Sequence, residues 1–194
     1  MNEPIPAKPD WDQLFMTAQT QQGLFTTQQA ADSGFSPQLL VHHAHSGRVL
    51  RVRRGIYRIA HYPAGTQEDL IAAWLWTERV GIVSHQTALS LHELSDLLPS
   101  QIHLTLPIAW RKRRFRIPTD VVLHHADIPA RDRTWIDAVP TTNARRTLND
   151  CADASLTPEL LRQAAQQALQ RGLATRDELG PVEQALTPFG GIAA

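Results

Sequence analysis

Three features of the 194-residue sequence predict an α+β fold in two parts. The first is the run from Gly23 to Ile59, GLFTTQQAADSGFSPQLLVHHAHSGRVLRVRRGIYRI, where two helix-start signals precede two alternating segments. The second is the fresh start after Tyr62-Pro63-Ala64-Gly65, beyond which short apolar strands alternate with helical patterns. The third is arginine, concentrated once at the hairpin of the first part and once in a loop of the second. The expected layout is a winged helix–turn–helix over residues 10–62 and a mixed α/β domain over 66–180. Loose tails are expected at 1–9 and 181–194.

The first part reads element by element. From Asp10, the residues Trp11, Leu14, Phe15 and Ala18 recur at helical spacing, and this helix closes near Gly23. Thr26 with Gln29 three residues later forms a capping box for a second helix, which Gly34 stops. Phe25 and Phe35 flank that helix as core anchors. Ser36-Pro37 starts a third helix, the hydroxyl as N-cap and proline in the first turn. It runs to about Ser46 and ends at Gly47. Val49–Arg53 and Ile56–Ile59 then alternate as strands around an Arg54-Gly55 turn.

Residue chemistry gives this outline a function. Arg48, Arg51, Arg53, Arg54 and Arg58 fall within eleven residues that contain no acid. A ribbon so charged can lie along a phosphate backbone or enter a minor groove. On the helix before it, Leu40, Val41 and Ala44 are expected to face the core. That turns Gln38, His42 and His45 outward beside the N-cap Ser36, where their side chains can bond base edges in a major groove. The alternative is a small helical domain whose hairpin is basic and merely solvated.

The second part opens with a helix near Thr66 carrying Leu70, Ile71, Trp74 and Leu75. Gly81-Ile82-Val83 reads as a short buried strand, with Ser84 capping a helix that buries Ala88, Leu89, Leu91 and Leu94. QIHLTL (101–106) and Val121–His125 alternate as strands on either side of WRKRRFR, which places five cations in seven residues. The three read together as a charged hairpin. Its cations Arg111, Lys112, Arg113, Arg114 and Arg116, interleaved with Trp110 and Phe115, suit a second nucleic-acid contact, an acidic partner or plain solvation, and the residues do not choose. TWIDAV (134–139) reads as one further strand, and Pro140-Thr141-Thr142 leads into a helix over Asn143 to about Ala152. That helix turns Ala144, Leu148 and Cys151 inward, and its Arg145 and Arg146 can join the basic surface, though ion pairs are expected. Thr157-Pro158 opens a helix that Gly172 closes, and Thr175 with Glu178 caps a last short one before a Pro- and Gly-spotted end.

Composition narrows the class. Hydrophobic residues make up 42 % and charged residues 20 %, an ordinary globular balance. The 19 basic and 19 acidic residues cancel, so an argument for nucleic acid rests on local charge alone. One cysteine, Cys151, excludes an intrachain disulfide and a multi-cysteine zinc site. No apolar run reaches membrane-spanning length, and MNEPIPAKPD lacks a signal-peptide core, so a cytoplasmic protein without membrane contact is expected. Walker, Gly-x-Gly-x-x-Gly, His-Glu-x-x-His and Gly-x-Ser-x-Gly patterns are absent, and no enzymatic role, cofactor or metal is expected. His124, His125 and Asp127, joined by His103, form a metal candidate, but neighbouring strand residues point to opposite faces.

These residues resemble a known family. GLFTTQQAADSGFS with SGRVLRVRRGIYRI is similar to the winged helix–turn–helix of AbiEi-type antitoxins from type IV toxin–antitoxin and abortive-infection systems. GIVSHQTALSLHEL, IHLTLP and VPTTNARRTLNDCAD are similar to later segments of that family, so the resemblance covers roughly residues 10 to 155. Glu93 stands where the family usually has a small residue. The resemblance implies a regulator whose winged domain binds inverted repeats in its own promoter double-stranded DNA and represses it. It further implies a C-terminal domain that counters a nucleotidyltransferase-like toxin, with or without stable contact. Carried over, Ser36 to Ser46 is the recognition helix, Arg48 to Arg58 the wing, and Arg111 to Arg116 the C-terminal basic surface.

Overall fold

The computed structural model describes residues 8–96, 98–114 and 116–192, and the chain divides into two compact units after Arg79. The expected tail residues 1–7, 193 and 194, and Phe115 of the basic loop, lie outside the described residues. The chain is α+β, as the pattern predicts.

In the first unit, α1 (Trp11–Gln19) is capped by Asp10, whose carboxylate accepts the Gln13 N–H at 2.9 Å. Leu14 and Ala18 are fully buried, whereas Phe15, expected beside them, is 45 % exposed. Leu14 and Ala18 are one turn apart and share a stripe, while Phe15 lies about 100° around the helix from Leu14. β1 (Leu24–Thr26) is not expected from the pattern. It is three residues long and merges into the capping box of α2 (Thr27–Asp32). There Thr26 Oγ1 accepts the Gln29 N–H at 3.1 Å, and Gln29 Oε1 accepts the Thr26 N–H at 2.8 Å.

α3 (Pro37–His45), β2 (Val49–Arg53) and β3 (Ile56–Ile59) follow with the bounds the sequence suggests. The sheet order is β1-β3-β2, antiparallel throughout, so β2 is an edge strand. Gly23 sits at φ +86°, and a Cβ there would lie 2.4 Å from the Tyr62 ring, so only glycine fits. Phe25, Phe35, Leu40, Val49, Tyr57 and Ile59 build the core with Leu14 and Ala18. The unit continues past the expected boundary at 62–66 and takes in α4 (Glu68–Trp76), whose residues Leu70 to Leu75 are all buried.

The second unit is a five-stranded mixed sheet with helices. Its order is β6-β5-β4-β8-β7, from β4 (Ile82–Val83), β5 (Ile102–Leu106), β6 (Val121–His125), β7 (Arg133–Ile136) and β8 (Val139–Thr142). β5 and β6 run parallel, from Ile102↔Val121 to Leu106↔His125. The expected charged hairpin is therefore a crossover. The connection from Pro107 to Asp120 is far longer than a hairpin turn and long enough to return the chain to the same end of the sheet. A second correction concerns β8, which reads as a lead-in to a helix because Pro140 cannot donate to a ladder. It pairs with β7 across a turn at Asp137, which has φ +50°, and parallel with β4 at Val83↔Thr141.

The helices are α5 (His85–Leu91), α6 (Ala144–Asp153), α7 (Pro158–Gln170) and α8 (Gly180–Leu186). Asn143 caps α6 by accepting the Arg146 N–H at 2.9 Å. Leu148, Cys151, Leu161, Ala164, Ala165 and Ala168 pack in one cluster with Val182, Leu186 and Ile192. The segment beyond Gly180 is thus part of the core rather than a loose tail. Arg162 Nε donates to the Gly191 carbonyl at 3.0 Å, and Gln166 Nε2 to that of Ile192 at 2.8 Å. Glu93, where the family resemblance leads one to expect a small residue, has φ +55°. That left-handed conformation favours residues without a bulky Cβ branch.

Candidate nucleic-acid interface

α3 owes its position to its first turn. Ser36 Oγ accepts the Leu39 N–H at 3.2 Å, and Pro37 presets the first turn. Leu40 and His43 are buried, His43 edge-on to Trp11 at 4.9 Å between ring centroids. Val41, expected in the core, is 48 % exposed instead. With Leu40 anchored, the residue three positions on comes inward and the residue one position on swings out, so geometry overrides the apolarity of valine. Gln38, His42 and His45 are exposed as expected, and Ser36 lies at the exposed start of the same helix.

The wing separates into two groups of arginine. Arg48, Arg51 and Arg54 are exposed on and beside the edge strand β2, while Arg53 is half-buried. Arg58 departs from the expectation. It lies on the central strand β3 and meets Glu68 of α4, Nη1 to carboxylate, at 3.0 Å. Its charge is already neutralised within the unit. The turn itself is anchored, because the Gly55 carbonyl accepts the Thr27 N–H at 2.9 Å and the Thr27 hydroxyl at 3.2 Å. The wing is therefore short and rigidly set against the start of α2. Its bulge between Arg51 and Arg53 strengthens the local twist of the edge.

In the second unit, Arg111, Lys112, Arg113, Arg114 and Arg116 are all exposed, the first two ending a 3₁₀ turn over Ile108–Lys112. The Arg113 guanidinium lies 4.1 Å from the centre of the Trp110 ring, a cation–π contact that stiffens this part of the crossover. Arg145 and Arg146 do not join this surface. Arg145 is paired with Asp132, and Arg146 Nε donates to Asp150 at 2.7 Å, with its Nη1 3.5 Å from Asp132.

A cluster of histidines forms where the parallel strands β5 and β6 meet α5. The His85 and His124 rings stack with centroids 3.5 Å apart, and His103 Nδ1 lies 3.0 Å from His124 Nε2. Among the described residues no group of three or more His, Cys, Asp or Glu side chains is placed to hold a metal ion. Ser84 stands at the head of α5 but does not cap it. Its hydroxyl accepts from Thr105 at 2.7 Å and bonds His85 Nδ1 at 2.9 Å. His85, at φ +52°, and His124 line a cleft of about 340 Å³ with Arg146, Asp150 and Asp153. Burial, reinforced by the charges of His124, His103 and Arg146, lowers the His85 pKa to about 3. Burial and its histidine neighbours lower His124 to about 4, so both rings are neutral near pH 7. No spacing in the sequence signals that His85 joins this group, since strand direction decides it.

Residues 12–60, from α1 into the end of the wing, match a family model described as transcriptional regulator, AbiEi antitoxin. The match covers the segment whose resemblance to that family is carried by GLFTTQQAADSGFS and the arginine-rich hairpin. The fold of the chain is similar to that in a crystal structure of the RV2827C protein from Mycobacterium tuberculosis, with a TM-score of 0.50 at 12 % identity over 100 % of this chain and 83 % of that one. No curated protein matches the sequence. Among the described residues, no helix is long and apolar enough to cross a membrane.

Proposed function

We propose that this chain is a DNA-binding transcriptional regulator, the autorepressing antitoxin of a type IV toxin–antitoxin pair. The observation that carries the reading is that α3, with its exposed polar stripe, packs next to the edge strand β2, on and beside which Arg48, Arg51 and Arg54 are exposed. The arginines supply sequence-independent phosphate affinity, and Gln38, His42 and His45 supply hydrogen bonds to base edges. The match of residues 12–60 to antitoxin-type regulators supports the same assignment. Promoter inverted repeats are the expected target, and a nucleotidyltransferase-like toxin is the expected counterpart.

The test is fluorescence anisotropy of the full chain on its own upstream DNA and on a scrambled duplex, across a salt series. Selective binding that weakens steeply with salt is expected. Replacing Arg51 and Arg54 by alanine should flatten the slope of log affinity against log salt by about 0.9 for each phosphate left without its arginine. Unchanged affinity and slope in that variant would show that the wing does not touch DNA.

A second reading rests on the exposed cations of residues 111–114 and 116. In it, the second unit grips an acidic face of the toxin directly. Co-purification with the toxin that survives nuclease treatment and disappears on neutralising these residues would establish it.

A further inference from the structure

Gln38, Val41, His42 and His45 occupy positions i, i+3, i+4 and i+7 of α3, and all four are exposed. They form one stripe, and Val41 is an apolar side chain, 48 % exposed, in the middle of it. The chemistry of this stripe is selective. α3 reads PQLLVHHAH and holds no lysine or arginine, the side chains that most often pair with guanine O6 and N7. Guanine offers only acceptors in the major groove, whereas adenine offers a donor beside an acceptor, which matches a glutamine amide. His45 is less selective. Its Nδ1 lies 2.9 Å from the Val41 carbonyl, which can only accept, so the proton sits on Nδ1. In the neutral ring Nε2 is then an acceptor, suited to the amino group of adenine or of cytosine and not to guanine O6 or N7.

We infer that this stripe selects an A·T-bearing step of the major groove, with Gln38 paired to an adenine edge and Val41 packed on a thymine 5-methyl group. The inference rests on the DNA-binding reading above. Three helical residues advance about 4.5 Å along the axis against about 3.4 Å per base pair, so Gln38 and Val41 reach the same or adjacent pairs. Valine has no polar atom to satisfy, and the thymine methyl is the apolar feature a major groove presents. Val41 therefore gives the helix an apolar means of telling thymine from cytosine.

The experiment begins with selection of sites from a randomised duplex library by the full-length protein. In the selected site each thymine is then replaced by uracil, which removes only the methyl group. The wild-type protein should enrich A·T pairs and bind about fourfold more weakly on one uracil substitution, the worth of one buried methyl. Val41→Ala should bind the thymine site more weakly by a similar factor and show no further weakening on the uracil site. Its melting temperature should stay close to wild type, because the side chain is half exposed and alanine is a stronger helix former than valine. Enrichment of G·C under α3, a wild-type protein indifferent to uracil, or an equal uracil penalty in both proteins would overturn the inference and leave DNA binding standing. A library from which nothing is enriched would overturn both.

Discussion

Acidification should destabilise the second unit through its histidines, and His85 carries the clearest share. In the unfolded chain this histidine takes up a proton near its ordinary pKa of about 6.5. In the fold, burial against His124 and His103, with Arg146 nearby, holds it neutral down to about pH 3. A histidine whose folded pKa is lowered contributes its full stability above pH 6.5 and loses it as pH falls from there toward 3. In that window the slope approaches about 1.4 kcal/mol per pH unit for each such group. Taking the chain from about pH 7.5 to about pH 5 then removes roughly 2 kcal/mol through His85 alone. His124 acts in the same direction with a smaller share, because its ring is more open to water. Asp150 acts in the opposite direction. Burial raises its carboxyl despite the Arg146 pairing. Two measurements check the reasoning. Ring-proton NMR should show His85 unprotonated at pH 5, and urea unfolding should show the stability loss. His85→Asn tolerates the left-handed backbone at φ +52° and cannot titrate, so its loss between the two pH values should be smaller by about 2 kcal/mol. A His85 midpoint near 6.5, or equal pH losses in the two proteins, would refute the account.

Two further outcomes are expected. Arg58→Ala should lower the melting temperature of the first unit, because it strands the half-buried Glu68 carboxylate, yet leave the salt slope of DNA binding unchanged. A flattened slope would return Arg58 to the wing. Truncation after Leu179 removes Val182, Leu186 and Ile192, each fully buried and worth about 1.5–3 kcal/mol on the scale of buried aliphatic side chains. The shortened chain should lose protease resistance across α6 and α7, and full resistance would mean the segment beyond Gly180 is dispensable.

What is legible in the sequence is local. Thr26 with Gln29, Ser36 with Pro37, and Gly55 at φ +76° in the hairpin each satisfy a backbone group or set a turn through residues close at hand, so their signals survive without knowledge of the tertiary structure. What is illegible depends on partners distant in the chain. β1 is too short to show alternation and exists because β3 pairs with it. The parallel direction of β6 follows from where the crossover returns, not from VVLHH itself. The end of the chain misleads for a different reason. Gly180 and Pro181 look like breakers, yet proline in a first helical turn is well placed, and α8 begins there.

The candidate interface divides in the same way. Exposed positions on α3 follow from its period once one buried residue is known, but choosing that residue needs the packing. Assigning Val41 to the core still turns Gln38 and His42 outward correctly, but it misses the apolar member of the stripe between them. The arginines show the converse. Their density announces a nucleic-acid surface, but density does not distinguish a cation that faces water from one that faces Glu68, and strand order makes that distinction. Arg51 lies on the edge strand and is exposed, while Arg58 lies on the central strand, where α4 meets it. A surface of three exposed arginines and one helical stripe is smaller than the sequence suggests. If that surface meets DNA, fewer arginines supply phosphate affinity, and more of the affinity for the right site rests on the side chains of α3.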